Sequence, residues 1–409
     1  MGHVDSDHAR QWWLRFAAGE GAESPLYSDW ALGFAADDEL CERLGELLPA
    51  QRQPALVLAS VRFSGVPELP FSEVRDRIVD EWDQIVAIIV SHATQTNDPR
   101  RSSLVLAGLQ SVFGPIALIE VGCSAGFGLM LDRYSYRWSA PGRTIAVDPP
   151  AGRSDVVLDC TVSGWGANAP RIPQVVWREG IDVNPLDMGS DDDVAWLEAL
   201  VWPEQSDRLG LVRAARDIVR ADRPSLVAGD AVDEIRGAVD RARAAAPDAT
   251  IVVSSPAVLV YLTPDRRREF RELVAELDVT WLSVDGVAVH PGLGERAAER
   301  GLAGEFVLTV DGEPVAAVDP LGRSMTVLVE PGLTPHQMDL LEFERAHWGA
   351  EPRKESLVRS VWNLALVRYY QKVYGIMDTE AARRYDPVLI KHFESVRAAR
   401  GRSRIAEGS

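Results

Sequence analysis

The chain has 409 residues, of which 46% are hydrophobic and 25% charged, so a core of ordinary size can form without disulfides. A net charge of −18 argues against a nucleic-acid backbone or an anionic membrane as the main partner, because both attract basic surfaces. The three cysteines have no metal-type spacing, and we expect no metal site. With no secretory leader and no long apolar stretch visible, the expected location is the cytoplasm.

The first 98 residues have the periodicity of helices. Apolar residues recur there at spacings of three and four, and no alternation typical of strands is visible. We interpret residues 1–98 as an all-α cap.

From about residue 115, short β-branched runs alternate with helical patterns. Strands are predicted near residues 116–121, 175–183, 225–228, 251–254 and 280–284, and Asp311-Gly312 predicts a hairpin turn. Such alternation is typical of an α/β, doubly wound, mostly parallel sheet. We assign residues 99–330 to this domain, with an insertion at about 136–174. Residues 331–409 are interpreted as a C-terminal helical extension with a polar tail.

The principal motif runs from Glu120 to Gly126, where a strand is expected to turn into a helix over residues 125–134. Gly122 allows a sharp turn, Ser124 is small enough for a ligand to approach the backbone, and Gly126 permits close packing. Dinucleotide sites instead show G-x-G-x-x-G and place a diphosphate at the helix start. Glu120 would repel a diphosphate, which disfavours a nicotinamide oxidoreductase. The motif favours S-adenosylmethionine, whose amine is cationic, over a turn without a ligand.

Two further acids follow predicted strands. Asp182 is expected to accept hydrogen bonds from the ribose hydroxyls, and Asp230, with the backbone of Ala231, to contact the adenine. Asp148 is an alternative ribose acid, because its separation from Gly122 is nearer the usual spacing. Ligands of open α/β sheets bind at the carboxyl ends of strands, where these acids are predicted to lie.

Candidates for the reacting end come from several segments. The catalytic candidates are His92, Asn97 and Tyr261. The substrate-binding candidates are Thr94, Gln95, Thr96 and Arg178, and Ser254 is assigned to the cofactor site. A histidine can act as a general base near neutral pH, and a row of hydrogen-bonding side chains before a helix suits a carboxylate. Helix capping is the simpler interpretation of the Thr94–Asn97 row.

Five strings resemble a bacterial family known as domain of unknown function 2332. They are Thr94-Gln95-Thr96-Asn97, Glu120-Val121-Gly122-Cys123-Ser124-Ala125-Gly126, Leu131-Asp132-Arg133-Tyr134, Gly180-Ile181-Asp182-Val183-Asn184-Pro185-Leu186-Asp187 and Trp202-Pro203-Glu204-Gln205. The resemblance spans roughly residues 10–329 and implies a methyltransferase-like core of unassigned activity. Asp98 and Leu321 depart from the family pattern, which tends to have glutamate and histidine there.

The expected fold is therefore a methyltransferase-type Rossmann sheet with an N-terminal all-α cap and C-terminal helices. The leading functional hypothesis is an S-adenosylmethionine-dependent methyltransferase that acts on a small molecule. The alternative is a non-catalytic module that binds S-adenosylmethionine or a nucleoside. The C-terminal helices are expected to complete a substrate pocket or a homodimer interface.

Overall fold

The computed structural model describes residues 2–95, 98–112, 114–165, 169–328, 333, 335–347, 351–387 and 389–394. In chain order the α-helices are α1 (Gly2–Ala18), α2 (Pro25–Ala36), α3 (Asp38–Glu46), α4 (Pro54–Phe63), α5 (Phe71–Asp80), α6 (Trp82–Ser91), α7 (Ser102–Gly108), α8 (Asp191–Ala199), α9 (Ser206–Ala221), α10 (Ala231–Ala245), α11 (Pro264–Glu276), α12 (Leu293–Glu299), α13 (Pro335–Ala346), α14 (Glu351–Trp362), α15 (Leu366–Met377) and α16 (Glu380–Tyr385). The strands are β1 (Ile116–Val121), β2 (Ser135–Ala140), β3 (Arg143–Val147), β4 (Val157–Ser163), β5 (Val175–Asp182), β6 (Ser225–Ala228), β7 (Thr250–Pro256), β8 (Thr280–Gly286), β9 (Phe306–Val310), β10 (Glu313–Val318) and β11 (Ser324–Val327).

The chain divides into two compact units. The first comprises residues 1–99 and 184–223, and the second comprises residues 100–183 and 224–409. Helices α8 and α9 thus pack with the N-terminal helices, whereas the sequence interpretation assigned them to the Rossmann-like domain. Periodicity identifies a helix but does not say which neighbour covers its apolar face.

The described residues of the first unit form helices joined by loops, with no strand, which confirms the prediction of N-terminal helices. Local sequence signals begin several of these helices. At α2, for example, Ser24 Oγ accepts a hydrogen bond from the Tyr27 backbone N–H at 3.1 Å, and Pro25 occupies the first helical position. The Arg62 guanidinium donates to the backbone oxygens of Ala199 at 2.8 Å and Val201 at 2.6 Å, which ties α4 to the end of α8.

The second unit contains a mixed sheet of order β3-β2-β4-β11-β10-β9-β8-β7-β1-β5-β6. Six of its ten pairings in the described residues are parallel, which confirms a mostly parallel sheet. After β1 the chain forms β2–β4 at the far edge of the sheet, then adds β5 and β6 on one side of β1, and then β7 and β8 on its other side. A topological switch point therefore lies between β1 and β7, where ligands of open α/β sheets bind.

Helices cover both faces of the central strands. Helices α10 and α11 pack on the face that carries Ile119 and Val253, and α7 packs on the face that carries Leu118 and Val252. All six residues of β1 are buried, as expected for a strand covered on both sides. The predicted hairpin is also present, because Asp311 and Gly312 adopt φ of 52° and 82° between β9 and β10.

Two local predictions are corrected by the structure. Residues 125–134 do not form an α-helix; a short 3-10 segment, Gly128–Arg133, follows the glycine-rich loop and is interrupted at Met130. Gly126 adopts φ of 76°, and Leu129, Met130 and Leu131 are all buried, so the segment is not amphipathic. Residues 136–174, interpreted as an insertion, are not separate from the core sheet, because they contribute β3, β4 and all but the first residue of β2 to it.

The C-terminal helices α13–α16 have a hydrophobic cluster of their own, which includes Leu340, Val358 and Tyr369. Helix α15 meets the amino-terminal ends of the sheet strands: the Thr250 hydroxyl donates to Gln371 Oε1 at 2.6 Å, and Arg368 donates to the Asp278 backbone oxygen at 2.9 Å. The carboxyl ends of β1 and β5 lie at the opposite edge. These contacts give no support to a substrate pocket completed by the C-terminal helices.

Candidate functional site

The loop after β1 has an unusual backbone. Gly122, Ser124 and Gly126 adopt φ of 72°, 49° and 76°, so a left-handed conformation recurs at every second residue. Only glycine adopts this region without cost, and the non-glycine Ser124 is therefore strained. Backbone strain of this kind concentrates at functional sites.

Strand β5 holds this loop in place. The backbone N–H of Gly122 donates to the Ile181 oxygen at 2.8 Å, and the N–H of Ser124 donates to Asp182 Oδ2 at 2.8 Å. Asp182 therefore anchors the strained residue directly. Asp148, the alternative ribose acid, follows β3 at the far edge of the sheet and binds Ser135 and Arg137. Of the two acids, the structure places Asp182 at the loop.

Glu120 is the most unusual residue of this edge. Its side chain is only 7% exposed and lies against Gly128, where a Cβ would overlap Oε1. The Leu129 backbone N–H donates to the carboxyl group, yet the buried Oε2 has no hydrogen-bond partner among the described residues. Burial raises the pKa of Glu120 to about 8; Arg101 opposes this shift and Asp182 adds to it. The carboxyl is thus largely neutral at pH 7.

Arg101 belongs to this site although the sequence analysis did not identify it. Its guanidinium donates to the backbone oxygens of Pro320 at 3.0 Å and Pro256 at 3.3 Å, and its charge lowers the pKa of Glu120. The Pro320 turn is held by Asp319, which accepts from Arg323 at 2.8 Å. This turn contains Leu321, the position that departs from the family pattern.

At the end of β6, Asp230 has the contacts of a helix cap. Asp230 caps α10 by accepting from the Val232 N–H at 2.8 Å, and it pairs with Arg266 at 2.5 Å. Ala231 is the buried first residue of that helix. These contacts are those of a capping residue, and the adenine role of Asp230 stays a prediction. Ser254 is buried on β7 in register with Glu120.

Two other candidates of the second unit lie in different settings. Tyr261 is 79% exposed in a short 3-10 helix after β7. Arg178 lies in the middle of β5 and makes a two-point pair with Asp132 at 2.9 and 3.1 Å, and it also donates to the Leu129 oxygen at 2.8 Å. This geometry favours a structural role for Arg178, which ties β5 to the segment after the loop.

The remaining candidates belong to the first unit. His92 ends α6 and packs against Trp196, with ring centroids 4.4 Å apart and ring planes inclined by 45°, and its Nδ1 lies 2.9 Å from Ser91 Oγ. Gln95 donates to the Asn184 backbone oxygen at 2.7 Å, and Thr94 is exposed. Thr96 and Asn97 lie outside the described residues. These ring contacts of His92 are those of a packing residue.

A second buried polar cluster, also missed from the sequence, surrounds Asp285 on β8. Asp285 Oδ2 accepts from the Ser283 hydroxyl at 2.5 Å and lies 2.9 Å from His290 Nε2. Because the serine and the histidine share one oxygen, and all three residues are buried, this is not the relay of a serine hydrolase. Asp285 shares a face with Trp281, which packs under α11, whereas Glu120 is on the opposite face.

Two other structural features are absent from the described ranges. No cluster of three or more His, Cys, Asp or Glu side chains there could hold a metal ion. Nor is any described helix long and apolar enough to cross a bilayer.

Two protein-family models match most of the chain. Residues 332–405 match a second family model, described as a protein of unknown function (DUF3263). No curated protein and no solved structure gives a significant match. Residues 10–326 match the model described as an uncharacterized protein conserved in bacteria (DUF2332), and because this match covers more than half of its length, the chain belongs to the DUF2332 family.

Proposed function

We propose that this protein binds S-adenosylmethionine at the carboxyl ends of β1 and β5 and methylates a small molecule. One observation carries the proposal: the buried Glu120 has an unpartnered oxygen beside a strained loop that Asp182 anchors. A buried acceptor without a partner is costly, and it is found where a ligand or strain explains it.

The order of the strands supports a ligand site at the carboxyl ends of β1 and β5. The parallel set β6-β5-β1-β7-β8 follows the order 3-2-1-4-5 of doubly wound nucleotide-binding sheets, with the loop at the switch point. The sixth position differs, because β9 is antiparallel to β8. We take a methyltransferase-type Rossmann core as part of the proposal.

The residues at the loop fit a cationic ligand better than a diphosphate. A diphosphate is normally received by backbone N–H groups at the start of an α-helix, and only an interrupted 3-10 segment follows this loop. The Asp182 carboxylate would repel added negative charge, whereas Glu120 Oε2 is an acceptor for an ammonium group. A nicotinamide dinucleotide contains a diphosphate and is disfavoured for the same reason.

In the proposed reaction the bound cofactor supplies an electrophilic methyl group on a sulfonium. The chain's own residues bind and orient: Glu120 accepts from the amine, and Asp182, already holding Ser124, accepts from the ribose. Methyl transfer by in-line displacement depends chiefly on positioning and on exclusion of water. The substrate class in this proposal is a small molecule, in keeping with the net charge of −18.

Calorimetry with S-adenosylmethionine, S-adenosylhomocysteine and NAD tests the proposal. We expect the two adenosyl amino acids to bind with micromolar or better affinity, and NAD not to bind. Incubation with labelled S-adenosylmethionine and a bacterial metabolite extract then tests transfer by mass spectrometry. Tight NAD binding without binding of the adenosyl amino acids would refute the proposal.

A non-catalytic adenosyl-binding module is the second candidate, and the end of β7 favours it. Ser254 and Ser255 are buried, and Ser255 accepts from the Trp281 ring N–H at 2.9 Å, so the Ser255 hydroxyl is engaged in the core rather than offered to a substrate. Binding of S-adenosylhomocysteine with no methylated product from any extract would select this candidate.

A further inference from the structure

The Glu120 carboxyl is buried, so its protonation state depends on whether a cation lies beside it. The carboxyl is buried on β1 against Gly128 of the 3-10 segment, within electrostatic reach of Arg101, and one of its oxygens has no partner in the described part of the chain. A charged carboxylate in such a place needs a compensating cation, and without one it takes up a proton.

The charged and titratable groups around Glu120 come from each neighbouring element. Arg101, near the start of α7, favours the ionised form, whereas Asp182 at the end of β5 disfavours it. The Cys123 thiol and the Tyr134 hydroxyl are also coupled to Glu120, and burial raises the pKa of each well above its usual range. Both therefore stay neutral near pH 7. Among the described residues, Arg101 is thus the cation that acts on Glu120, and its guanidinium already donates to two backbone oxygens.

We propose that Glu120 gives up its proton when the ammonium group of the cofactor binds, so that binding near neutral pH is coupled to proton release. This inference rests on the proposed function, since it assigns the cationic end of the ligand to this carboxyl. The proton leaves to buffer and the carboxylate pairs with the ammonium, so charge is balanced within the site. Ligands without the amine lack this coupling.

The test is calorimetry in buffers of different ionisation enthalpy, which counts the protons released on binding. Three probes separate the cations of the cofactor: S-adenosylmethionine has the ammonium and the sulfonium, S-adenosylhomocysteine has only the ammonium, and 5′-methylthioadenosine has neither. Measurements between about pH 6 and 7 keep the ligand amine protonated, because α-amino groups titrate near 7.7–8.0.

We expect the first two probes to release close to one proton each, and their affinity to rise about tenfold per pH unit in this range. Methylthioadenosine should release none. Glu120→Gln should abolish the release. Glu179→Gln is the matched control, because Glu179 is equally buried on the adjacent strand but is already paired with Arg241 at 2.7 Å; this variant should release as many protons as the wild type.

The outcomes distinguish the two proposals. If none of the three adenosyl compounds binds, the proposed function fails. If the adenosyl amino acids bind without proton release, or if Glu120→Gln releases as many protons as the wild type, the function stands and this inference is overturned. Release with S-adenosylmethionine alone would also overturn it, because the sulfonium rather than the amine would then be the partner of Glu120.

Discussion

The backbone N–H of Ser124 donates to Asp182 Oδ2 at 2.8 Å, so the acid that ends β5 holds the strained residue of the neighbouring loop. Asp182→Ala removes this anchor and should lower the free energy of unfolding by about 1–2 kcal/mol, the usual effect of an unmade hydrogen bond. Asp182→Asn keeps an acceptor oxygen and should lose less. Urea denaturation measures both effects.

The same pair of variants tests the ligand role of Asp182. Asp182→Ala should weaken S-adenosylmethionine binding about tenfold or more, the effect of losing a ribose contact. Asp148→Ala is the control, because Asp148 lies at the opposite end of the sheet and should leave the affinity unchanged. Equal losses from the two alanine variants would show that the effect is not local to the loop.

Gly122 is required for two separable reasons. It adopts φ of 72°, and an added Cβ would lie 2.7 Å from Val258 Cγ2. Gly142 has a nearly identical φ of 75° but open space around it. Gly142→Ala should therefore cost about 1 kcal/mol from backbone strain alone, whereas Gly122→Ala should cost about 1–3 kcal/mol more through overpacking.

Thermal and urea denaturation of the two variants give these differences. Val258→Ala in the Gly122→Ala background should recover part of the additional loss, because it removes the overlap. If Gly122→Ala is no more destabilised than Gly142→Ala, the site accommodates the added Cβ beside Val258 without loss of stability, and the prediction is wrong.

The apo protein should lose stability through Glu120 as pH rises. The folded-state pKa of about 8 is above the ordinary value of 4.5, so the folded protein holds a proton that the unfolded chain has released. The contribution is fully present below about pH 4.5 and is lost as pH approaches 8, at up to about 1.4 kcal/mol per pH unit. Glu120→Gln has no such dependence.

Urea denaturation of wild type and Glu120→Gln at several pH values from 5 to 8 isolates this effect, because other titrating groups cancel in the difference. The variant should gain stability relative to the wild type at each higher pH. A difference that does not change with pH would mean that Glu120 ionises normally in the folded protein.

Arg178 should matter for stability rather than for ligand binding. Both members of its pair with Asp132 are largely buried, so Arg178→Ala leaves a carboxylate without its cation and should cost about 3–5 kcal/mol. Arg213→Ala breaks a two-point pair with Glu198 that is more exposed, and should cost less than about 1 kcal/mol. An Arg178→Ala protein of normal stability and reduced substrate affinity would instead restore the role assigned from the sequence.

Patterns along the chain located several local features correctly. The strand before Gly122, the glycine-rich turn, the acid that ends β5 and the acid that follows β6 are local signals, and each has the predicted position in the chain; the roles assigned to these acids stay predictions. The helix after Gly126 was wrong because its apolar residues are buried on all sides, which helical periodicity does not reveal. Arg101 carried no signal of its own, since an arginine next to a helix is ordinarily a surface residue.

The sequence by itself determined which segments are helical or extended and which acids follow strands, because these depend on periodicity, on capping and on turn residues only a few positions apart. The tertiary structure decided the order of the strands, the entry of β2–β4 into the same sheet, and the packing of α8 and α9 with the N-terminal helices. It also decided that Glu120 is buried beside Arg101 and Asp182. These outcomes depend on contacts between distant residues, and the environment that shifts a pKa or leaves an oxygen unpartnered exists only once those contacts have formed.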